Sequence, residues 1–263
     1  MSLTEKEFWD NYWASCKLPS APNIDFSFDR CLAKEICSIF GNNGMTTNKL
    51  NILEIGCAPG KWLSYFAQTH GFIPSGIEYS TKGIELTKEN MSILGLDYSE
   101  FYQGDFFEIN PEPIYDVVYS FGFIEHFNNA YEILERHLLW LKPDGLLIIG
   151  VPNFNGVYKP IQKALKHEIL ENHNLSIMNL EWFKTVPGKM DVDLQFAKYI
   201  GSFEPSLPVS EPGIPSIQVF FVKSMLAVLS KVRKLRCFDK LNNKYISSYI
   251  IAVFRKNHCK LDT

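Results

Sequence analysis

Four groups of residues in this 263-residue chain have the types and spacing to do chemistry. The first is Glu54-Ile55-Gly56-Cys57-Ala58-Pro59-Gly60-Lys61-Trp62, which follows the apolar run Leu50 to Ile55. A strand that breaks at glycine and resumes as a helix lets backbone approach a ligand and turns a helix N-terminus toward it. The second is Glu78, at the end of the run Ile73 to Glu78. An acid about twenty residues past a glycine loop can accept hydrogen bonds from two ribose hydroxyls. Tyr79 beside it offers a flat face to a purine ring. The third is Gly104-Asp105-Phe106, and the fourth is Glu125-His126, just beyond the run Tyr115 to Ser120. Histidine is the usual general base, so His126 is a candidate to take a proton, with a buried structural histidine as the alternative.

These groups must sit at the carboxyl ends of strands in an open α/β sheet, where such sheets bind ligands. A phosphate-gripping loop would need four residues between the glycines and then Lys-Ser/Thr. Here three separate Gly56 from Gly60, and Trp62 stands where the hydroxyl belongs. The dinucleotide fingerprint would need glycine at 58 and 61, where the chain has Ala58 and Lys61. The pattern that remains, acid-x-Gly-x-x-x-Gly after an apolar strand, resembles motif I of the class I S-adenosylmethionine-dependent methyltransferases. Tyr115 to Ser120 followed by Glu125-His126, then Leu138 to Leu141, Lys142-Pro143-Asp144-Gly145 and a strand ending Pro152-Asn153, narrows the resemblance. It is similar to the small-molecule group typified by ubiquinone and menaquinone biosynthesis, over about Leu50 to Asn153.

The resemblance implies S-adenosyl-L-methionine as cofactor. It implies that Asp105 accepts a hydrogen bond from the adenine amino group, with Phe106 in apolar contact. With Glu54, Gly56, Gly60, Glu78 and Tyr79, the residues Cys57, Trp62, Ser120 and Phe121 complete the expected cofactor-binding set. His173 matches a histidine often found at that place in the family and is a second catalytic candidate. Glu125 either orients His126 or caps the following helix. A histidine base predicts a rate rising with pH through the ordinary histidine range. The expected reaction is methyl transfer to a small-molecule or lipid-linked acceptor, with oxygen favoured. A binding-only relative and, less favoured, a nicotinamide-dependent oxidoreductase are the other classes.

The implied fold is α/β, a Rossmann-like seven-stranded mostly parallel sheet with helices on both faces and a reversed C-terminal hairpin. One methyltransferase domain over 1–263 is expected, with N-terminal helices in 1–49, a cofactor-binding core in 50–153, and insertions and final strands in 154–263. Phe8, Trp9, Tyr12 and Trp13 recur at helical spacing and predict an aromatic clamp on the core; a lid over the site is the alternative the family suggests. A second helix is expected over Ser27 to Phe40, another over Lys82 to Leu94, and strands over Tyr98 to Gln103, Asp193 to Phe203 and Tyr245 to Phe254. One helix is expected in Phe154 to Asn174 and one in Ser176 to Val186.

Composition narrows the rest. A chain that is 46% hydrophobic and 14% aromatic can bury a sizeable core. A net charge of −3 argues against general nucleic-acid affinity. Cys16, Cys31, Cys37, Cys57, Cys237 and Cys259 lack metal-ligand spacing, so no metal is expected and a reduced, cytoplasmic setting is. Ser216 to Lys244 stands apart, with seven Lys or Arg against Asp239 alone and a wide apolar face. The favoured reading packs it on the domain with its lysines solvated, burying Phe221, Met225 and Val232. The sharper one is a peripheral membrane contact.

Overall fold

The computed structural model describes residues 5–45, 49–165, 168–208, 217–232 and 235–258. Its strands are β1 (Asn51–Ile55), β2 (Ile73–Glu78), β3 (Phe101–Gln103), β4 (Tyr115–Phe121), β5 (Leu141–Pro152), β6 (Val192–Ile200) and β7 (Tyr249–Lys256). They form one sheet in the order β3-β2-β1-β4-β5-β7-β6. The first five pair in parallel, and β7 runs antiparallel to both β5 and β6. This is the expected mostly parallel sheet with a reversed final strand. The helices are α1 (Lys6–Ala14), α2 (Ser27–Asn42), α3 (Lys61–His70), α4 (Thr81–Ile93), α5 (Ala130–Leu138), α6 (Tyr158–Leu165), α7 (Glu168–Glu171), α8 (Leu180–Thr185) and α9 (Ile217–Val232).

Strand periodicity divides the apolar residues between two covered faces. In β5, Leu146 and Ile148 join a cluster with Ile36, Phe40, Leu63 and Phe66 of α2 and α3. Leu147 and Ile149 join the opposite cluster with Ile133 and Leu134 of α5 and Phe183 of α8. Chain order reverses at β1, with β2 on one side and β4 on the other, so the carboxyl ends of these strands open a crevice.

Several boundaries differ from the sequence reading for local reasons. Lys142 to Gly145 is an excursion inside β5: the register jumps from Tyr115–Leu141 to Val117–Leu146, with Asp144 at φ 60°. β7 starts at Tyr249 rather than Tyr245, because the Asn243 side chain accepts from the Tyr245 and Ile246 N–H groups and folds that stretch into a turn. The region 154–190 carries α6, α7, a 3₁₀ turn at Leu175–Ile177 and α8, where two helices were expected. Asn179 caps α8 by accepting from Trp182 N at 2.9 Å. Ser216, Arg233, Lys234 and Cys259 lie outside the described residues.

No residue of α1 is buried, so it does not clamp the core as expected. It is held instead on the start of α4. Asp10 accepts from the Ser80 hydroxyl at 2.6 Å and from Lys82 N at 3.2 Å, and Lys6 donates to Thr81 Oγ1 at 3.0 Å. A carboxylate at a helix N-terminus is favoured by the free N–H groups there, and the Ser80 hydrogen bond holds Asp10 below the usual carboxylate range.

Candidate active site

A cavity of about 1060 Å³ occupies the crevice. Its floor is made by strand ends: Gly56 and Ala58 after β1, Glu78 and Tyr79 at β2, Gly104 to Phe107 after β3, and Phe121 to Phe123 at β4. Phe8, Trp9, Tyr12 and Trp13 of α1 form one wall, and His126, Phe127, Phe154 and His173 stand in another. Of the expected cofactor residues, Gly56, Glu78, Tyr79, Asp105, Phe106 and Phe121 therefore share one cavity.

The others do not line it. Strand alternation turns Glu54 away from the cavity, where its carboxyl accepts from the Tyr119 hydroxyl at 2.9 Å. Burial pushes Glu54 well above the usual carboxylate range. Cys57 is buried against Gly76, where an added Cβ would lie 2.5 Å from its sulfur. Gly60 has φ +80° and faces α4: a Cβ there would meet Thr87 at 3.0 Å, so its glycine serves helix packing. Trp62 packs on Phe66 and Phe121. Ser120 is fully buried and its hydroxyl bonds His137 Nε2 at 3.1 Å. Lys61 turns to Asp29, at 2.7 Å, which removes the phosphate-loop reading a second time.

Glu78 sits on the wall with only 5% of its surface exposed. Its two oxygens accept from Ala58 N at 3.2 Å and Ser80 N at 2.9 Å, which fixes the carboxylate plane. Burial nevertheless raises its pKa to about 7.

His126 and His173 on the cavity wall belong, with Glu125 behind them, to a cluster that spacing alone did not reveal. Glu125, His126 and His173 bring one ligand-type atom each within 4.8 Å of one another. The two imidazoles lie 4.5 Å apart by ring centroids, and Trp9 meets His126 edge-on at 5.1 Å. They are brought together by Asn174, whose N–H donates to the Glu125 carbonyl at 2.7 Å and whose side chain donates to the Phe127 carbonyl. His173 Nδ1 lies 2.6 Å from the Ile169 carbonyl, so it must be the protonated nitrogen, leaving Nε2 as an acceptor. Burial pushes His126 down to about 3, with His173 adding to the effect, and lowers His173 too. Burial thus works against an ionisation of His126 in the ordinary histidine range. Glu125 does not cap a helix, since Asn129 takes that place on α5. Its Oε2 is buried with no hydrogen-bond partner among the described residues, and burial raises its carboxyl to about 8. These are three donor groups that could hold a metal ion.

Sequence reasoning missed Phe123, Gln162, Glu204 and Tyr249, which also line the cavity. Tyr249 had one trace in the sequence, the glycine near the end of β5. A Cβ at Gly150 would lie 2.5 Å from Tyr249 and 2.8 Å from Phe121, the close approach a strand glycine often marks.

Residues 24–189 match the family described as a methyltransferase domain. The chain belongs to that family. Its cofactor is S-adenosylmethionine. Ubiquinone biosynthesis O-methyltransferases from Rhodopseudomonas palustris (strain TIE-1) and Bradyrhizobium sp. (strain ORS 278) are 27% and 28% identical to the methyltransferase over 161 residues. The matched part is 59% of this chain and 60% of theirs, so it spans under two thirds of those relatives. The fold is shared with Haemonchus contortus phosphoethanolamine N-methyltransferase 2 in complex with S-adenosyl-L-methionine. That match has TM-score 0.55 and 18% identity, covering 86% of this chain and 53% of the other. The cyclase SpnF superposes with TM-score 0.59 at 14% identity, covering 98% and 96%, so the fold hosts more than one reaction.

The residues present fit this cofactor. The buried carboxylate of Glu78 faces the cavity where ribose hydroxyls would donate, and Tyr79, 40% exposed, leaves a ring face for adenine. Glu78→Ala is expected to weaken S-adenosylhomocysteine binding by about tenfold or more, the worth of charge-assisted bonds of roughly 1.5–3 kcal/mol. The ionised carboxylate accepts from both hydroxyls, whereas below pH 7 a proton must first leave. Affinity should therefore rise with pH, by up to about tenfold per unit, and level off above about 7. A dissociation constant flat from acid to neutral pH, or unchanged in the variant, would return Glu78 to a structural strand end.

Proposed function

We propose that the methyltransferase transfers a methyl group to a hydroxyl oxygen of a small or lipid-linked acceptor bound beneath α1. The observation that carries this reading is one cavity lined both by Gly56, Glu78 and Asp105 and by His126 and His173. At about 1060 Å³ it exceeds the ~300–1,000 Å³ of an ordinary ligand site, which leaves room for cofactor and acceptor together. Phe154, in ring contact with His173, and Phe107, Phe123 and Phe127 make the cavity apolar and suit an aromatic acceptor. The relatives named for ubiquinone biosynthesis O-methylation support oxygen as the accepting atom.

S-Adenosylmethionine supplies a methyl already activated on a cationic sulfur. Gly56, Glu78, Tyr79, Asp105 and Phe106 would hold it, and α1 with its aromatic side chains excludes water. Alignment of an acceptor contributes on the order of 7–11 kcal/mol. Taking up that methyl would make the acceptor's hydroxyl proton strongly acidic, with the methyl–sulfur electron pair left on sulfur. A neutral His126 suffices to receive it, even as a weak base, because the proton leaves late.

A second reading rests on the unpartnered Glu125 Oε2 beside two neutral imidazoles. A divalent cation there would ionise Glu125 and acidify the acceptor hydroxyl directly. A radiolabelled-methyl screen over hydroxylated aromatic acceptors, with and without isoprenoid tails, tests the first reading. Incorporation at oxygen is expected. No incorporation by protein that binds S-adenosylhomocysteine would leave a cofactor-binding protein. For the second reading, activity should vanish on chelation and return with magnesium or zinc; indifference to chelator removes it.

A further inference from the structure

The helix α9 buries only one of its faces. Val219 and Leu226 pack with Val222 against Ile161 and Leu165 of α6 and against Phe203. At helical spacing, Phe220, Phe221 and Val228 fall on the opposite side and Met225 on its flank. They are 67%, 64%, 64% and 44% exposed. The expected burial of Phe221 and Met225 is therefore not what the fold does; Val232's side chain lies outside the described residues. A surface helix normally turns a polar face outward. Here the outward face is apolar, and the polar residues on it are Ser224 and Lys231, with Lys223 at its margin.

Charge indicates what covers this face. The helix contains no Asp or Glu. Beyond it, Leu235 and Leu241 are 49% and 46% exposed, among the exposed cations Arg236, Lys240 and Lys244. The acid of this stretch, Asp239, is neutralised by Arg30 at 2.8 Å. Arg236 and Lys240 line a cleft of about 410 Å³ with Lys34 and with Asp239 and Glu35, whose charges are met by Arg30 and Lys198. Protein interfaces are depleted in lysine. A bilayer surface instead takes large apolar side chains between lysines, whose stems reach up to anionic headgroups. The helix has 16 residues, short of the ~20 needed to cross a bilayer, and none of the described helices is long and apolar enough to do so. A helix of this kind lies in the interface plane.

We propose that the outward face of α9, with its flanking lysines and arginines, docks the protein on an anionic lipid bilayer. Phe220, Phe221, Met225 and Val228 enter the acyl boundary while Lys223 and Lys231 meet lipid phosphates. The inner face of the same helix packs on α6, whose Gln162 lines the cavity, so docking sets the cavity close to the bilayer.

The test is co-sedimentation of the full chain with phosphatidylcholine vesicles containing or lacking phosphatidylserine. It is run without cofactor, so its result does not depend on the methyl-transfer reading. Binding to the anionic vesicles is expected, weakened by salt and lowered about tenfold by Phe220→Ser with Phe221→Ser. Lys223→Glu with Lys231→Glu should lower it comparably. Both pairs are exposed, and unchanged circular dichroism and S-adenosylhomocysteine affinity confirm intact variants. Absence of binding at low salt overturns the proposal, as does equal binding by folded variants. Sedimentation velocity supplies the remaining outcome: a dimer that becomes monomeric in the Phe220/Phe221 variant, with no vesicle binding, assigns the face to a second copy instead.

Discussion

Gly56→Val remains folded and loses S-adenosylhomocysteine binding by at least about 100-fold. Gly56 holds φ +73°, the left-handed region that costs a branched residue on the order of 1–2 kcal/mol or more. A Cβ there would lie 2.9 Å from Phe123 Cδ2, so the Phe123 ring must move, and it lines the same cavity. The loop cannot relax freely either, because Gly56 N and Cys57 N both donate to the Ile77 carbonyl, at 2.9 and 3.1 Å. Strain and lost volume act at the cofactor's expected position together. Gly95 is the control, with φ +65° and nothing within 4 Å of an added Cβ. Gly95→Ala carries the backbone strain without the steric clash and should leave affinity unchanged. Calorimetric titration with circular dichroism on both variants decides it. Full affinity in folded Gly56→Val, or an equal loss in Gly95→Ala, would remove the glycine loop from the site.

His126→Ala should lower turnover by about 10²–10⁴-fold, the range of a positioned proton acceptor, while cofactor affinity changes less than about twofold. The two readouts separate because the proposal gives His126 to the acceptor and Glu78 and Asp105 to the cofactor. Since burial holds His126 near 3, the wild-type rate shows no limb in the histidine range. A rise through about pH 8 is expected instead, as Glu125 ionises beside it and strengthens it as a base. Glu125→Gln should abolish that limb while leaving S-adenosylhomocysteine binding intact, which marks a positioning residue. Full turnover in His126→Ala would leave the histidine pair structural, and a limb surviving in Glu125→Gln would assign the ionisation elsewhere.

What the sequence determined by itself was everything encoded by short-range pattern. The break at Gly56, the acid ending β2 and the apolar runs of β1, β4 and β5 each follow from a few adjacent residues. Those features suffice for the parallel strands and for where their ligand edge lies, because parallel strands buried on both faces read as continuous apolar runs, whereas the reversed C-terminal strand was what the resemblance implied. Which of two neighbouring side chains faces the cavity was beyond that pattern. Glu54 and Ser120 have ligand-like chemistry, yet strand alternation hands them to Tyr119 and His137 in the core. Tertiary structure alone decided the rest. It joined His173 to Glu125 and His126 through the Asn174 bridge, since no local spacing connects an insertion after β5 to a turn after β4. It placed α1 over the crevice rather than on the core, through Asp10 at the head of α4. And it chose which face of α9 was buried: an apolar sequence on both sides of a helix leaves that choice to the shape of α6 beneath it.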